Sequence, residues 1–297
     1  MLLKGSLVAL VTPFNKKGAV DYESLRRLVD FHINNGTDGI VAVGTTGESA
    51  TLPLEEHLAV VRAVVHDVAG RIPVIAGTGA NSTAEAIELT HHTAALGAQY
   101  ALSVVPYYNK PTQEGIFQHF RSIAESCEKV PIILYNVPGR TVADINNDTV
   151  LRLAAIPNIV GLKDATGDLA RTCDLKRRIP EDFALYSGDD ATAMAFMLCG
   201  GHGVISVTAN VAPRLMREMC EAALAGNISV ARAKNDKLQG LHKHLFIEPN
   251  PIPTKWVLSQ YGLIYGHLRL PLTPLSEMAI PLLKDALQQA EIILENI

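Results

Sequence analysis

The chain has 297 residues, of which 48% are hydrophobic and 19% charged, and its net charge is −4. This is the composition of an ordinary globular protein, long enough for one large domain or two smaller ones. The mild acidity and the lack of a Lys/Arg-rich run argue against a nucleic-acid surface, and no apolar stretch approaches the ~20 residues of a membrane span. The N-terminus lacks a signal-peptide pattern, so we expect a cytoplasmic protein with reduced cysteines that bind no metal.

Short apolar runs alternate with segments of helical period along most of the chain. Their starts are roughly 20–35 residues apart, which is the spacing expected when each strand is followed by a crossover helix. The runs are continuously apolar rather than alternating, so we expect parallel strands that are buried on both faces. The eight predicted strands are residues 6–10, 39–43, 73–76, 100–104, 132–135, 159–162, 184–186 and 203–206.

Two kinds of signal mark the helices between these strands. Ser82 and Glu85 form a capping box with Ser82 as N-cap, and Gly36 and Gly97 stand where helices are expected to end. Steps of four and three residues predict the apolar face of one helix: Leu54, Leu58, Val61, Val65 and Val68.

Eight successive strand–helix units predict an α/β fold, namely a closed (β/α)8 TIM barrel with a C-terminal helical extension. Residues 1–226 would form the catalytic barrel and residues 227–297 the extension, which we predict to be entirely helical. A doubly wound open sheet is the main alternative, and it is disfavoured because no GxGxxG motif follows the first strand. Pro249, Pro251 and Pro253 are expected to break the helices of the extension. The last helix is expected to carry an apolar stripe of Leu283, Leu287, Ala290 and Leu294.

Polar and glycine-rich motifs follow the strand ends, which is where a barrel of this type carries its chemistry. They are residues 44–49 (GTTGES), 106–111 (PYYNKP), 135–141 (YNVPGRT), 161–167 (GLKDATG) and 187–190 (SGDD).

Lys163 occupies a position where a buried strand would carry another Val or Leu. Lysine is almost never buried without a partner or a task. One such task is nucleophilic attack on a carbonyl, because a lysine in a dry pocket loses its proton more easily. Tyr135 ends the preceding strand, ~4.8 Å away if the strands are adjacent, and would serve as a general acid and base. The alternative is that Lys163 marks the solvent-exposed end of its strand.

The other motifs have both functional and structural interpretations. Thr45 and Thr46 suit the binding of a small anion, or they simply form a tight turn. Arg140 suits bidentate capture of a carboxylate, or it is a surface residue. Asp189 and Asp190 are interpreted as helix caps. The histidines at 91–92 and 242–244 lack matching ligands, so no metal site is predicted.

The motifs at 44–48, 135–141 and 161–167 closely resemble those of the dihydrodipicolinate synthase family, which are pyruvate-dependent class I aldolases. The resemblance spans essentially the whole chain. It implies a lyase that condenses pyruvate with L-aspartate 4-semialdehyde in the diaminopimelate and lysine biosynthesis pathway. The reaction would pass through a Schiff base on Lys163 and need no metal or organic cofactor.

The same resemblance implies further roles. Tyr135, Thr46 and Tyr108 would form a proton relay, with Tyr108 reaching into the site of a neighbouring subunit. Arg140 would bind the carboxylate of the semialdehyde. The assembly would be a homotetramer, a dimer of dimers, and the tyrosines at 107–108 also suggest a dimer interface. The pyruvate pocket would be lined by Thr45, Thr46 and Ile205.

A regulatory site for L-lysine is also implied, because lysine-sensitive relatives bind this effector at a subunit interface. Glu85 would pair with an ammonium group and Asn81 with the amino-acid head group, or Glu85 only completes its capping box. Leu54 departs from the histidine of some sensitive members. The corresponding positions are Ser49, Ala50, Leu54, His57, Asn81, Glu85 and Tyr107.

Two other functions compete with this one. N-acetylneuraminate lyases and 2-keto-3-deoxy-sugar-acid aldolases would share Lys163 and Tyr135, but they need groups that bind a polyhydroxylated chain. Arg140 in its Val-Pro-Gly-Arg-Thr turn favours a short carboxylated aldehyde instead. A non-catalytic barrel that binds a small keto acid is the alternative from another class, and the fold alone does not distinguish it.

Overall fold

The computed structural model describes residues 2–292, and it contains the predicted closed barrel of eight parallel strands. The strand order is the sequence order, and the first strand pairs with both the second and the last. All eight predicted strands are present, with ends that differ by at most two residues. They are β1 (Gly5–Ala9), β2 (Gly39–Ala42), β3 (Val74–Gly77), β4 (Tyr100–Val104), β5 (Ile132–Asn136), β6 (Ile159–Asp164), β7 (Ala184–Ser187) and β8 (Gly203–Ser206).

Each strand is followed by one or two α-helices, and residues 227–292 of the extension contain three more. Those after the strands are α1 (Tyr22–Asn34), α2 (Leu54–Val68), α3 (Thr83–Ala95), α4 (Gln113–Ser126), α5 (Pro138–Thr141), α6 (Asn147–Ala154), α7 (Leu169–Arg178), α8 (Ala193–Leu198) and α9 (Pro213–Leu224). Those of the extension are α10 (Ile228–His244), α11 (Ile252–Gln260) and α12 (Ile280–Gln289).

The predicted helix ends agree with the structure. Gly36 and Gly97 lie just beyond α1 and α3 with φ of +79° and +96°, a conformation that glycine adopts without a steric penalty. The hydroxyl of Ser82 caps α3 by accepting a bond from the Glu85 N–H. The reciprocal bond from the Ser82 N–H to the Glu85 carboxylate is not formed in the described chain, so only half of the capping box is present.

The predicted apolar face of α2 is wrong in its first turns. Leu54 is 42% exposed and Leu58 is only half-buried. The helix is instead rotated so that His57 faces inward, where its Nε2 lies 2.8 Å from the carbonyl oxygen of Gly77 at the end of β3. The buried side chains of α2 are His57, Val60, Val61, Val64 and Val68.

The prediction of an all-helical extension is also wrong, because residues 261–276 form no helix. This segment is held against the barrel by Arg269, whose guanidinium donates to the carbonyl of Gly18 and pairs with Glu56. Pro253 does not break a helix but lies in the first turn of α11, where its missing N–H costs nothing. Leu283, Leu287 and Ala290 are buried as predicted, and Leu294 lies outside the described residues.

The barrel interior is filled by apolar side chains that project inward from the strands, as in other barrels of this type. They include Leu7, Val41, Ile75, Ile133 and Ile205. This packed layer is continuous with Tyr135, which lies near the C-terminal end of β5. The barrel interior is therefore a packed core that closes the site from below, not an open channel. In the part of the chain that the structure describes, no helix is long and apolar enough to cross a membrane.

Candidate active site

A cavity of about 230 Å³ lies at the C-terminal ends of the barrel strands. It brings together residues from seven of the eight strands or from the loops that follow them. Five of the predicted site residues line it: Thr45, Thr46, Tyr135, Arg140 and Lys163.

Lys163 lies inside β6, and only 5% of it is exposed. The interpretation of this lysine as a solvent-exposed strand end is therefore wrong. Its Nζ is 4.3 Å from the centroid of the Tyr135 ring. The two residues are direct partners in the β5–β6 register, which confirms that they are neighbours. Within residues 2–292 the ammonium of Lys163 forms no salt bridge.

The carboxylate next to Lys163 in the sequence is held on the other side of the strand. Successive side chains of a strand point to opposite faces, so Asp164 points away from the cavity. It accepts a hydrogen bond from Asn136 Nδ2 at 3.2 Å and pairs with Arg171 Nε at 3.0 Å. Burial raises the pKa of Asp164, and Arg171 opposes this effect. Asp164 is thus engaged elsewhere and does not neutralise Lys163.

Gly188 leaves room for the Lys163 side chain. A Cβ atom at position 188 would lie 3.0 Å from Lys163 Cε and 2.8 Å from Ala165 Cβ. Both distances are shorter than ordinary van der Waals contact, so any larger residue would displace the lysine. No local motif of the sequence indicates this role, because it depends on close packing between β6 and the residue after β7.

The loop that carries Thr45 and Thr46 has a strained backbone on both sides. Val43 has φ of +54° and Glu48 has φ of +57°, and this is an outlying conformation for the β-branched valine. Such strain persists where surrounding contacts hold it in place. Here the hydroxyl of Thr12 donates to Gly47 O at 2.7 Å, and the Glu48 carboxylate contacts the extension.

The structure does not bring every predicted residue to the cavity. Tyr108 is 87% exposed with φ of +76°, and it is not among the residues that line the cavity of Lys163. Its contact with a neighbouring subunit stays a prediction. Ile205 is buried in the barrel interior and is likewise absent from the described lining.

A second cavity of about 400 Å³ adjoins the first, and it shares Thr45, Val137 and Arg140 with it. Six of the seven predicted effector-binding residues line it: Ser49, Ala50, Leu54, His57, Glu85 and Tyr107. Asn81 is not in this lining, although its buried Oδ1 has no hydrogen-bond partner among the described residues. Burial lowers the pKa of His57, and its hydrogen bond to the Gly77 carbonyl opposes this effect.

The two aspartates after β7 have different roles. Asp189 accepts bonds from the N–H and hydroxyl of Thr192, which is itself the N-cap residue of α8, so the prediction that Asp189 caps the helix is wrong; Asp189 also lines the first cavity. Asp190 does not cap a helix. Its Oδ2 accepts bonds from the N–H groups of Val207 and Thr208, both at 2.9 Å, so it anchors the loop after β8.

The closed barrel with a polar cavity at its C-terminal face places the protein in the class of (β/α)8 barrels that carry a site at the strand ends. The model of the dihydrodipicolinate synthetase family matches residues 2–290, and the chain belongs to this family. The resemblance seen in the sequence motifs is thereby confirmed.

Individual relatives match over almost the whole chain. A 4-hydroxy-tetrahydrodipicolinate synthase of Laribacter hongkongensis is 68% identical over 98% of this chain and 100% of its own length. The crystal structure of the chloride-inhibited dihydrodipicolinate synthase of Acinetobacter baumannii with pyruvate has a TM-score of 0.96 at 55% identity, covering 98% of this chain and 100% of that one. The enzyme of Cyanidioschyzon merolae with lysine bound has a TM-score of 0.95 at 42% identity, covering 98% and 99%.

Proposed function

We propose that this protein is a lyase that condenses pyruvate with L-aspartate 4-semialdehyde, the activity for which its curated relatives are named, in lysine biosynthesis. The observation that carries the proposal is the position of Lys163. Its amine is buried, lies over the Tyr135 ring, and faces a cavity without a carboxylate partner among the described residues. A lysine in this setting is suited to nucleophilic attack on a keto acid.

In the proposed reaction, the Lys163 amine attacks the keto carbon of pyruvate, and loss of water leaves a protonated imine. The imine nitrogen accepts the electron pair when a methyl proton leaves, so that an enamine forms without any other electron sink. The enamine carbon then attacks the aldehyde carbon of the semialdehyde. Finally, the amine of the second substrate displaces Lys163 by transimination, which closes the ring and frees the enzyme.

Tyr135 would move the protons of these steps, since a phenol within hydrogen-bond reach acts both as acid and as base. Thr46 would connect Tyr135 to Tyr108 of a neighbouring subunit. Thr45 would help to hold the pyruvate carboxylate.

Arg140 would bind the carboxylate of the semialdehyde. Its single side-chain hydrogen bond within residues 2–292 goes to Asn250 O at 3.4 Å, which leaves the rest of the guanidinium for a ligand. A planar guanidinium matches the two oxygens of a carboxylate. A carboxylate-binding arginine at this position favours the semialdehyde over the polyhydroxylated substrates of the sugar-acid aldolases.

Reduction with borohydride tests the nucleophile. The protein is treated with borohydride with and without pyruvate, and the modified peptides are mapped by mass. We expect pyruvate-dependent labelling of Lys163 alone. Lys255 is an internal control, because it is equally buried but contacts Glu48. Labelling of another lysine, or of none, would contradict the proposal. Product identification after mixing both substrates separates the synthase from a barrel that only binds keto acids.

The second cavity supports L-lysine as an effector. Its lining combines the Glu85 carboxylate, which would pair with the side-chain ammonium, with the polar side chains of Ser49 and Tyr107. Because this cavity shares Arg140 with the first, an occupant would act on the binding of the semialdehyde. We expect L-lysine to inhibit turnover and Glu85→Gln to weaken that inhibition without changing the uninhibited rate. Full turnover in saturating L-lysine would dispose of this idea.

We also propose a homotetrameric assembly in the cytoplasm, with a barrel that ends near residue 226 and an extension that follows it. The 87% exposure of Tyr108 supports an interface at this edge of the barrel, since a large aromatic side chain gains free energy when a partner covers it. Sedimentation velocity at micromolar concentration tests the assembly. A monomer with full activity would contradict both the tetramer and the shared relay.

A further inference from the structure

Asn250 belongs to the extension, yet it reaches the cavity of the barrel. It lies between α10 and α11, is 5% exposed, and lines the same cavity as Lys163. Its Nδ2 donates a hydrogen bond of 2.9 Å to Thr46 Oγ1, which is 204 residues away in the sequence. Its backbone carbonyl accepts the 3.4 Å bond from Arg140 Nη2, 110 residues away. One residue thus joins two members of the proposed site.

A contact on the oxygen side of the Asn250 amide sets its orientation. Its Oδ1 lies 3.5 Å from the hydroxyl of Thr254, a fully buried residue in the first turn of α11. The next residue, Lys255, ties the same helix to the barrel through the carboxylate of Glu48 and donates to the carbonyl of His267 at 2.9 Å. The amide therefore presents its N–H side to Thr46 from a rigidly held position.

This contact determines what the Thr46 hydroxyl does. A hydroxyl has one proton to donate and two lone pairs. The Asn250 amide can only donate through Nδ2, so it occupies one lone pair of Thr46 and cannot accept its proton there. The proton and the second lone pair of Thr46 are left for the cavity, where Tyr135 lies.

We infer that Asn250 is a positioning residue, which fixes the donor direction of the Thr46 hydroxyl and thereby the direction of proton transfer through Tyr135. The inference rests on the proposed function, since it assigns Asn250 a role in that reaction. The C-terminal extension thus supplies a part of the site.

The first test is Asn250→Ala. It removes the donor to Thr46 but keeps the backbone carbonyl that holds Arg140. We expect kcat to fall roughly 10- to 100-fold, a share of the rate that general acid–base catalysis contributes. The KM for the semialdehyde should stay within about twofold, because substrate binding is unaffected when only an interaction in the transition state is lost.

The second test is Asn250→Asp, which has the same shape but an acceptor in place of the donor. An ionised carboxylate takes the Thr46 proton away from the cavity, so kcat should fall at least as far as in the alanine variant. A protonated carboxyl group regains a donor. Burial favours protonation, so the ratio of variant to parent kcat should rise as the pH is lowered from about 8 to about 6. A purely structural residue would give no such recovery.

Thr46→Val and Asn235→Ala complete the experiment. If Asn250 acts through Thr46, the Asn250→Ala change should have little further effect in the Thr46→Val protein, so the two losses should not multiply. Asn235 is a buried asparagine of α10 outside the site, and its alanine variant should keep the parent kcat. It controls for general loosening of the extension.

Three results would overturn the inference: a kcat of Asn250→Ala within twofold of the parent, a raised KM with unchanged kcat, or a pH-independent ratio for Asn250→Asp. Pyruvate-dependent borohydride labelling of Lys163 in the unmodified protein keeps this test separate from that of the function. If the unmodified protein is not labelled, the proposed function fails. If the unmodified protein is labelled and active, and the Asn250→Ala variant has the same kcat, only the role of Asn250 fails.

Discussion

Two lysines are buried within residues 2–292, and their surroundings differ in kind. Lys255 in the extension is 0% exposed; its Nζ contacts the Glu48 carboxylate and lies 4.1 Å from the centroid of the Phe14 ring. Lys163 is 5% exposed, lies over the Tyr135 ring and faces open space. Burial lowers the pKa of Lys255 to about 8, although Glu48 opposes the shift.

The difference shows that burial alone does not identify a nucleophile. The ammonium of Lys255 donates to the Glu48 carboxylate and to the His267 carbonyl and lies over the Phe14 ring, so it serves as a tie between the extension and the loop before α2. Lys163 lacks a carboxylate partner among the described residues and has a cavity of about 230 Å³ before it. We propose that this difference separates Lys255, whose charge is paired and structural, from Lys163, the proposed nucleophile, which faces a cavity.

Replacing each lysine is the strongest test of this comparison. We expect Lys163→Ala to lower condensation by on the order of 10³-fold or more, the scale of losing a covalent nucleophile. Its free energy of unfolding should change by less than about 1 kcal/mol, because no ion pair is broken. A coupled assay and urea unfolding measure the two quantities. A variant that keeps a tenth of the activity would remove Lys163 from the chemistry.

Lys255→Met should instead lower the free energy of unfolding. It leaves the Glu48 charge buried without a partner, and breaking a buried pair in this way costs about 3–5 kcal/mol. Urea unfolding measures the loss. The double variant Lys255→Met/Glu48→Gln removes both charges and should regain a large part of the stability. If the single variant were as stable as the parent, the contact would not act as a tie.

Gly188→Ala tests whether Lys163 needs the space that Gly188 leaves beside it. The added methyl group would displace Lys163 Cε, and misplacement of a reacting group by about 1 Å costs up to 10²-fold in rate. We expect pyruvate-dependent imine formation to slow by roughly 10- to 100-fold, measured by timed borohydride quenching. Gly139→Ala is the matched control, because a Cβ there meets no atom within 4 Å. Equal rates for the two variants would contradict the role of Gly188.

The pH dependence of stability tests the surroundings of Lys255 independently of activity. Between pH 8 and pH 10.5 the folded protein has lost the Lys255 proton while the unfolded chain keeps it. Because the unfolded state then binds more protons, the free energy of unfolding should rise with pH in this window, by at most about 1.4 kcal/mol per unit. Urea unfolding of the parent and of Lys255→Met isolates the contribution. A constant difference between the two proteins would argue against it.

Local patterns were sufficient for most of the fold. Eight apolar runs separated by segments of helical period predicted every strand of the barrel, and the glycines at 36 and 97 predicted two helix ends. They failed for α2, where a hydrogen bond from His57 to β3 outweighs the apolar stripe that begins at Leu54. They failed again at residues 261–276, where Arg269 binds the barrel instead of continuing a helix.

The site shows the same division. Tyr135 and Lys163 were predicted to be neighbours because they end consecutive strands, and the β5–β6 register pairs them directly. Gly188, Asn250 and Lys255 were missed, since each acts on a residue that no local pattern connects to it.

The amino-acid sequence by itself therefore determined the order of strands and helices, the barrel they close, and the strand ends at which polar side chains collect. These depend on hydrophobic periodicity and turn chemistry, which operate over a few residues. Only the tertiary structure decided which buried lysine finds a carboxylate and which faces a cavity, and which asparagine meets Thr46. Those outcomes depend on contacts between segments about 200 residues apart, whose geometry exists only after the barrel has closed and the extension has packed against it.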